Sequence, residues 1–396
     1  MKKIKEQMPY REAFGKYEKR AVMEVIKYYS KQKKDPPYNG LFQKKFCKDF
    51  EKYMGGKGFC CAVSSGTSAT YVALASLNLP KGSEIIISPV TDSGPLNCII
   101  LQGYIPVIAD SRKESYNMNL NQIVKKITKK TSAIMAIHSA GEPLEIKEIC
   151  IEAKKRNVRV IEDCSQAPGA RYKGKKVGSF GDVAAFSTVY KKTLQFGGSG
   201  GLIYTKNKTL YHSILAHSDR GKELWKNYSH HNDIRKQLFP ALNFNINEFS
   251  CAIGSASLKR LDQSIKKRNN FLKKLIKALS FSKVCSPYPF NNKFSPFYFP
   301  IFVNKRLIKC TKNEFARVLL SKGINLIPEY GQIVSSWKWA RPYMTKNHNT
   351  PNAISIRDNS FNLFLNEKYG EMELKKITNT ILQVEKKFLK NKYKKN

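Results

Sequence analysis

Between residues 59 and 205, short apolar runs alternate with stretches of helical character, and this alternation constrains the fold more than any other feature of the chain. Residues 59–78 (FCCAVSSGTSATYVALASLN) read as a strand, a Ser-Ser-Gly-Thr-Ser turn and a helix of small and apolar residues. Residues 84–110 give a strand (EIIIS), a proline-containing turn, a helix and a second strand (IPVIAD). Residues 118–157 add a helix, a strand (SAIMAIH) ending at His138, and a helix from about Leu144. Further runs lead to Ile161, Phe186 and Tyr204. Strands that alternate with helices on this scale predict an α/β fold with a mostly parallel sheet and helices on both faces. In such open sheets ligands bind just beyond the carboxyl ends of the strands.

The residues at those ends form a chemical set. The run Val158–Ile161 ends in Glu162-Asp163, with Gln166 close behind, and the run Val183–Phe186 ends in Ser187. Lys191-Lys192 and a glycine-dense turn, Gly197–Gly201, follow. A lysine amine condenses with an aldehyde to a Schiff base, and pyridoxal phosphate is the common aldehyde cofactor. Its ring nitrogen must stay protonated, which a neighbouring carboxylate favours, and Asp163 is the candidate. Phosphate needs hydroxyl and N–H donors, available from Ser187 and from a helix N-terminus such as the one that follows Ser65-Gly66-Thr67-Ser68. Taken singly, Asp163 can be a helix cap, Ser187 a strand-end hydroxyl and Lys192 one more surface lysine.

The ordered set resembles the DegT/DnrJ/EryC1/StrS sugar aminotransferases, of the aspartate-aminotransferase fold type of pyridoxal-phosphate enzymes. That pattern, E-D-x-x-Q, G-D, F-S-x-x-x-x-K and G-x-G-G, is met by Glu162-Asp163 with Gln166, Gly181-Asp182, Phe186-Ser187 with Lys192, and Gly198-Ser199-Gly200-Gly201. The spacing after Phe186-Ser187 selects Lys192 over Lys191. The resemblance implies a phosphate cradle at Gly66, Thr67 and Ser68, Gln166 against the ring, and Lys192 and Asp163 as the catalytic pair. It gives His138 a pocket-lining role. It further implies a homodimer whose Asn243 reaches the partner's cofactor phosphate. The implied reaction moves an amino group from glutamate or glutamine to a keto-sugar, nucleotide-linked, in polysaccharide biosynthesis. Three positions depart from the pattern: Pro89–Gly94 lacks the usual aromatic, Ser199 is usually acidic, and Asn245 replaces an arginine. Thr91-Asp92-Ser93-Gly94 either lines a substrate pocket or forms an ordinary turn. A sugar-dehydratase offshoot of the family replaces the Schiff-base lysine with histidine, so Lys192 disfavours that alternative. A non-catalytic basic binding protein on the same scaffold is the other.

The net charge of +40, from 70 basic and 30 acidic residues, raises the question of nucleic acid. The lysines are spread along the whole length rather than gathered, so they read as a solvated surface and a nucleic-acid partner is not expected. No apolar run reaches the roughly 18–20 residues of a membrane span. The start, MKKIKEQMPYREAF, has no apolar signal core, and the expected compartment is the cytoplasm. Nine cysteines include no C-x-x-C pair, and His230-His231 has no shared-face spacing, so no metal site is expected. Residues 1–240 are expected to form a helical lead-in and a large cofactor-binding domain. Residues 241–396 are expected to form a long connecting helix from about Ser250 and a smaller C-terminal α+β domain. In the latter, strands are expected at Tyr298–Phe302 and Ile324–Ile327 and helices at Lys312–Lys322 and Glu371–Leu389, before a frayed NKYKKN tail. Ahead of the sheet, Glu18–Tyr29 has helical spacing, and Phe42, Phe46, Phe50 and Tyr53 form a packing stripe.

Overall fold

The computed structural model describes residues 8–11, 14–226, 233–345 and 348–391. Two lead-in helices, α1 (Lys16–Gln32) and α2 (Leu41–Tyr53), precede the large sheet. Its strands are β1 (Phe59–Val63), β2 (Glu84–Ile87), β3 (Ile105–Ile108), β4 (Thr131–Ile137) and β5 (Arg159–Asp163). After a small hairpin of β6 (Arg171–Tyr172) and β7 (Lys175–Lys176) come β8 (Val183–Ser187) and β9 (Gly201–Thr205). The order across the sheet is β1-β9-β8-β5-β4-β2-β3. β9 pairs antiparallel with β1 and β8, while the remaining pairings are parallel. The reason lies in the connection. A parallel return needs a crossover, usually a helix, and residues 188–200 between β8 and β9 contain only turns. That non-helical segment carries Lys192.

Helices α3 (Gly66–Ala75), α4 (Ser93–Leu101), α5 (Leu120–Val124), α6 (Ile146–Lys155) and α7 (Lys208–Ser218) complete the large layer. Strand alternation splits its core. Ile85 and Ile87 join Val72, Leu96 and Ile214 on one face, whereas Ile86 joins Ile146, Ile149 and Val160 on the other. A sheet buried on both faces accounts for near-continuous apolar strands. The α2 stripe closes a third part: Phe46 lies edge-on to Phe196 at 4.8 Å and Phe50 to Phe186 at 5.2 Å.

Helix α8 (Glu248–Leu279) is capped by Asn247, whose side chain accepts the Ser250 N–H. Its first half packs Cys251, Leu258 and Leu261 into the large-sheet core, and its second half packs Phe271, Leu272 and Leu275 into the other core. There a four-stranded antiparallel sheet, β10 (Cys285–Pro287), β11 (Tyr298–Val303), β12 (Leu326–Ile327) and β13 (Ser360–Phe364), has the order β10-β11-β13-β12. Helices α9 (Lys312–Ser321), α10 (Pro351–Asn359) and α11 (Glu371–Phe388) accompany it. A Thr311–Glu314 capping box starts α9.

One expectation needs revision. The strand expected over Ile324–Ile327 is confined to β12, and the Ile324 N–H instead bonds the Leu319 carbonyl of α9 at 3.2 Å. Helix α7 is a further element without a sequence expectation: its buried Ile214-Leu215-Ala216 are contiguous rather than spaced by three or four, so no helical period marks it. His230, His231 and the tail beyond residue 391 lie outside the described residues.

Candidate active site

Strand alternation sends the two carboxylates that end β5 to opposite faces. Asp163 is buried and accepts the Ser165 N–H at 2.9 Å. Burial pushes its carboxyl up, and contacts with Ser165 and the charge of Lys192 oppose that. Glu162 is wholly buried and accepts N–H groups from Gly178, Phe180 and Gly181 at 2.7–2.8 Å. It also pairs with His138 Nε2 at 3.2 Å. Burial alone would raise this carboxyl, but the imidazole and the N–H donors bring it below the ordinary range.

His138 is wholly buried, and its Nδ1 accepts the Leu144 N–H at 3.0 Å, which leaves the proton on Nε2 facing Glu162. The ring therefore supports the strand end instead of lining a pocket. Glu162, His138 and Cys164 place three potential metal-binding atoms within 4.8 Å of one another. Both ring nitrogens and both carboxylate oxygens already have partners, so the trio offers no set of free lone pairs to an ion.

On the Asp163 side, the end of β8 meets the start of α3. The Ser187 N–H bonds Ser165 Oγ at 3.0 Å, which ties the two strand ends together. A side chain at Gly66 would put its first carbon 2.5 Å from Ser187 Cβ and 2.7 Å from its Oγ. Only glycine permits that approach, and it brings the Ser187 hydroxyl to the positive end of α3. Ser65 caps the helix by accepting the Ser68 N–H at 3.0 Å. The Ser68 hydroxyl lies 2.8 Å from Ser65 Oγ and 3.0 Å from Ser64 Oγ. Thr67 follows in the first turn, where N–H groups lack intrahelical partners. Hydroxyls and N–H groups thus gather at the start of α3.

Lys192 stands in the β8–β9 connection. Its backbone closes a turn to the Val189 carbonyl at 2.8 Å, and its Nζ lies 4.5 Å from the centre of the Phe297 ring. Burial lowers the pKa of the amine, and the carboxylates of Asp163 and Asp92 act against it. Asp92 caps α4 by accepting the Gly94 N–H at 3.0 Å and remains exposed beside the lysine. The Pro89–Gly94 stretch thus serves both as a helix cap and as part of the site wall. Gln166 Oε1 accepts the Ala140 N–H at 2.8 Å, which fixes it to the turn after β4. Asn243 is on the surface, next to exposed Leu242, and its side-chain oxygen accepts the Asn245 N–H at 3.0 Å. Within one chain, Asp163, Gln166, Ser187, Lys192 and the Gly66–Ser68 turn share the strand-end side of the sheet, and exposed Asn243 is followed by Phe244, whose carbonyl accepts the Ser64 N–H at 2.9 Å.

Four residues beside this group gave no sequence signal. Phe297 and Tyr330 come from the second half of the chain, and Tyr330 is buried in a ring cluster with Tyr116 and Tyr298 at 5.3 and 5.0 Å. Arg11 and Arg268 reach the lysine loop from residues far away in sequence.

A sequence profile of the DegT/DnrJ/EryC1/StrS aminotransferase family matches residues 21–382. The chain belongs to that family. Among relatives, the GDP-perosamine synthase of Escherichia coli O157:H7 is 37% identical over 210 residues, 53% of this chain and 56% of the relative. The chain thus spans just over half the length of that curated relative. Among solved structures, an aminotransferase from Psychrobacter cryohalolentis superposes with a TM-score of 0.87 at 24% identity, over 96% of this chain and 99% of that one. An E. coli GDP-4-keto-6-deoxy-D-mannose-3-dehydratase with bound hydrated PLP gives a TM-score of 0.85 at 21% identity, over 95% and 100%. Solved proteins of this fold therefore include both an aminotransferase and a dehydratase. The α/β architecture expected from the alternation is the one this family shares. Among the described residues, no helix is long and apolar enough to cross a membrane.

Proposed function

We propose that this chain is a pyridoxal-phosphate-dependent aminotransferase that passes an amino group from glutamate or glutamine to a nucleotide-linked keto-sugar. The observation that carries the reading is the position of Lys192. Its amine faces the Asp163 strand end, on the same side of the sheet as the Gly66–Ser187 cradle. The residues fit the cofactor's three handles: an amine for the aldehyde, a buried carboxylate for the ring nitrogen, and a cradle that a side chain would fill for the phosphate. Pyridoxal phosphate, when bound, supplies an electrophilic carbon and a ring that draws electrons from the reacting bonds.

In this reading Gly66, Thr67, Ser68 and Ser187 hold the phosphate. Asp163 keeps a proton on the ring nitrogen, and Gln166 packs against the ring. Lys192, with its amine pKa lowered by burial, would move the proton between the donor α-carbon and the cofactor C4′ as base and then acid. Asn243 completes the site of a second copy. Support for a homodimer comes from large exposed side chains, among them Leu242 next to it at 60% exposed, Phe14 at 61% and Tyr17 at 56%. Nine free thiols, six of them buried, support a reducing cytoplasmic setting. A lysine at 192 favours transamination over the dehydratase alternative.

The test is the visible absorption of the full chain supplied with pyridoxal phosphate, before and after borohydride, with peptide mass mapping. The expected result is a band that borohydride bleaches, a phosphopyridoxyl group on Lys192, and loss of the band with glutamate or glutamine. An unmodified Lys192 would sink the proposal.

A further inference from the structure

Arg268 is the largest side chain buried in the interior, 2% exposed in the middle of α8. One of its terminal nitrogens donates to Thr193 Oγ1 at 3.2 Å and to the Pro296 carbonyl at 2.9 Å. The next residue toward the site is Lys192 on one side and Phe297 on the other, and these are the two side chains that meet at 4.5 Å. Its other terminal nitrogen bonds Glu367 at 3.0 Å. Glu367 in turn pairs with Arg11 Nε at 3.3 Å. Arg11 closes the loop on the lysine: its guanidinium donates to the carbonyls of Tyr190 at 3.3 Å, of Thr193 at 3.0 Å and of Lys192 itself. The segment before it is anchored by a hydrogen bond from Asn366 to the Pro9 carbonyl at 2.8 Å and by Met8, buried in the core of the second sheet.

We infer that Arg11, Glu367 and Arg268 form a bracket that positions Lys192, fixing its backbone carbonyl from one side and its contact with Phe297 from the other. The β8–β9 connection has no helix, and its own backbone bonds, Thr188 N–H to the Gly200 carbonyl and Tyr190 N–H to the Gly198 carbonyl at 2.9 Å, stop short of Lys192, whose carbonyl is taken by Arg11. Two guanidinium forks supply the lysine's direction, and the shared carboxylate keeps both forks aimed. One ammonium could not serve, because a lysine in place of Arg11 cannot reach three carbonyls and a carboxylate in a fixed plane. The bracket deepens the aminotransferase reading, in which Lys192 is the catalytic amine. Arg11, Glu367 and Arg268 act through the Lys192 loop and Phe297 and are positioning residues.

The test is competitive labelling of the apo full chain with a small amine-reactive reagent across pH, read lysine by lysine by mass mapping, for wild type, Arg11→Ala, Arg11→Lys and Thr193→Val. Lys312, buried near the second sheet and bonded to the Pro328 carbonyl at 2.7 Å, serves as the internal reference. Release from the bracket lets water reach the amine, so the Lys192 midpoint should rise by about one pH unit in both Arg11 variants and by less in Thr193→Val. Lys312 should stay where it is. If Arg11→Lys labels like wild type, arginine acts only through its charge and the bracket is wrong. It is equally wrong if Lys312 shifts in step with Lys192, which would mean general loosening. A borohydride-fixed adduct on Lys192 with unmoved labelling sinks the bracket alone. The expected labelling shift without any adduct keeps the bracket and sinks the aminotransferase reading.

Discussion

Glu162 and Asp163 are adjacent, buried and at the same strand end, yet they are served very differently. Glu162 collects three backbone N–H groups and an imidazole N–H. Asp163 has the Ser165 N–H and side chain and, across the site, the charge of Lys192. The first carboxylate is held ionised by the fold, while the second is buried with lone pairs to spare. A buried acceptor left short of donors carries a cost unless a ligand supplies one. The difference teaches how one dipeptide divides its work: one face of β5 stiffens the strand end, and the other presents a group that a ligand can satisfy.

Asp163→Asn should separate the two roles most sharply. Loss of a group that holds a catalytic proton lowers single-turnover transamination by about 10³-fold, with the circular dichroism spectrum unchanged. An activity within tenfold of wild type would break the contrast. Glu162→Gln should act on stability instead, lowering the unfolding free energy by about 3 kcal/mol in urea titration, because four donors lose a charged acceptor. Equal stability losses in the two variants would erase the distinction.

Acid sharpens it further. The Glu162 carboxyl lies below its ordinary value in the fold, so its stabilisation is complete above an unfolded pKa of about 4.3 and is lost as pH falls through the folded value. Asp163 has the opposite sign. Its raised carboxyl makes the ionised form costly at neutral pH, and that cost disappears as pH falls through the raised value. Unfolding curves across pH should therefore show the deficit of Glu162→Gln closing only below about pH 4.3. The smallest effect is a gain: apo Asp163→Asn should be more stable than wild type by about 1 kcal/mol at pH 7, fading at a higher pH than the Glu162→Gln deficit does. A loss of stability there would mean that Asp163 is a structural carboxylate like its neighbour.

The side of the sheet on which chemistry gathers was readable because each candidate follows an apolar run directly. Asp163 closes one run, Ser187 closes another, and Lys192 falls in the connection that must turn back without a helix. The role of His138 was not readable, since a strand-end histidine looks the same whether it faces a cavity or a buried glutamate. Phe297, Tyr330, Arg11 and Arg268 were invisible for another reason. Their partners lie from tens to hundreds of residues away, and neither period nor turn chemistry reports a contact of that span. Helix α7 was missed because its buried residues are consecutive.

The hydrogen bond between Arg11 and Glu367 joins groups 356 positions apart in the chain. Closing so long a loop is entropically costly and comes late in assembly. During synthesis, the parallel strands and the amine of Lys192 emerge well before Glu367 does. The large sheet can therefore collapse around a lysine whose direction is not yet set. Its final aim arrives only once Glu367 has left the ribosome, so chains cut short before Glu367 would carry the reactive amine without its guidance.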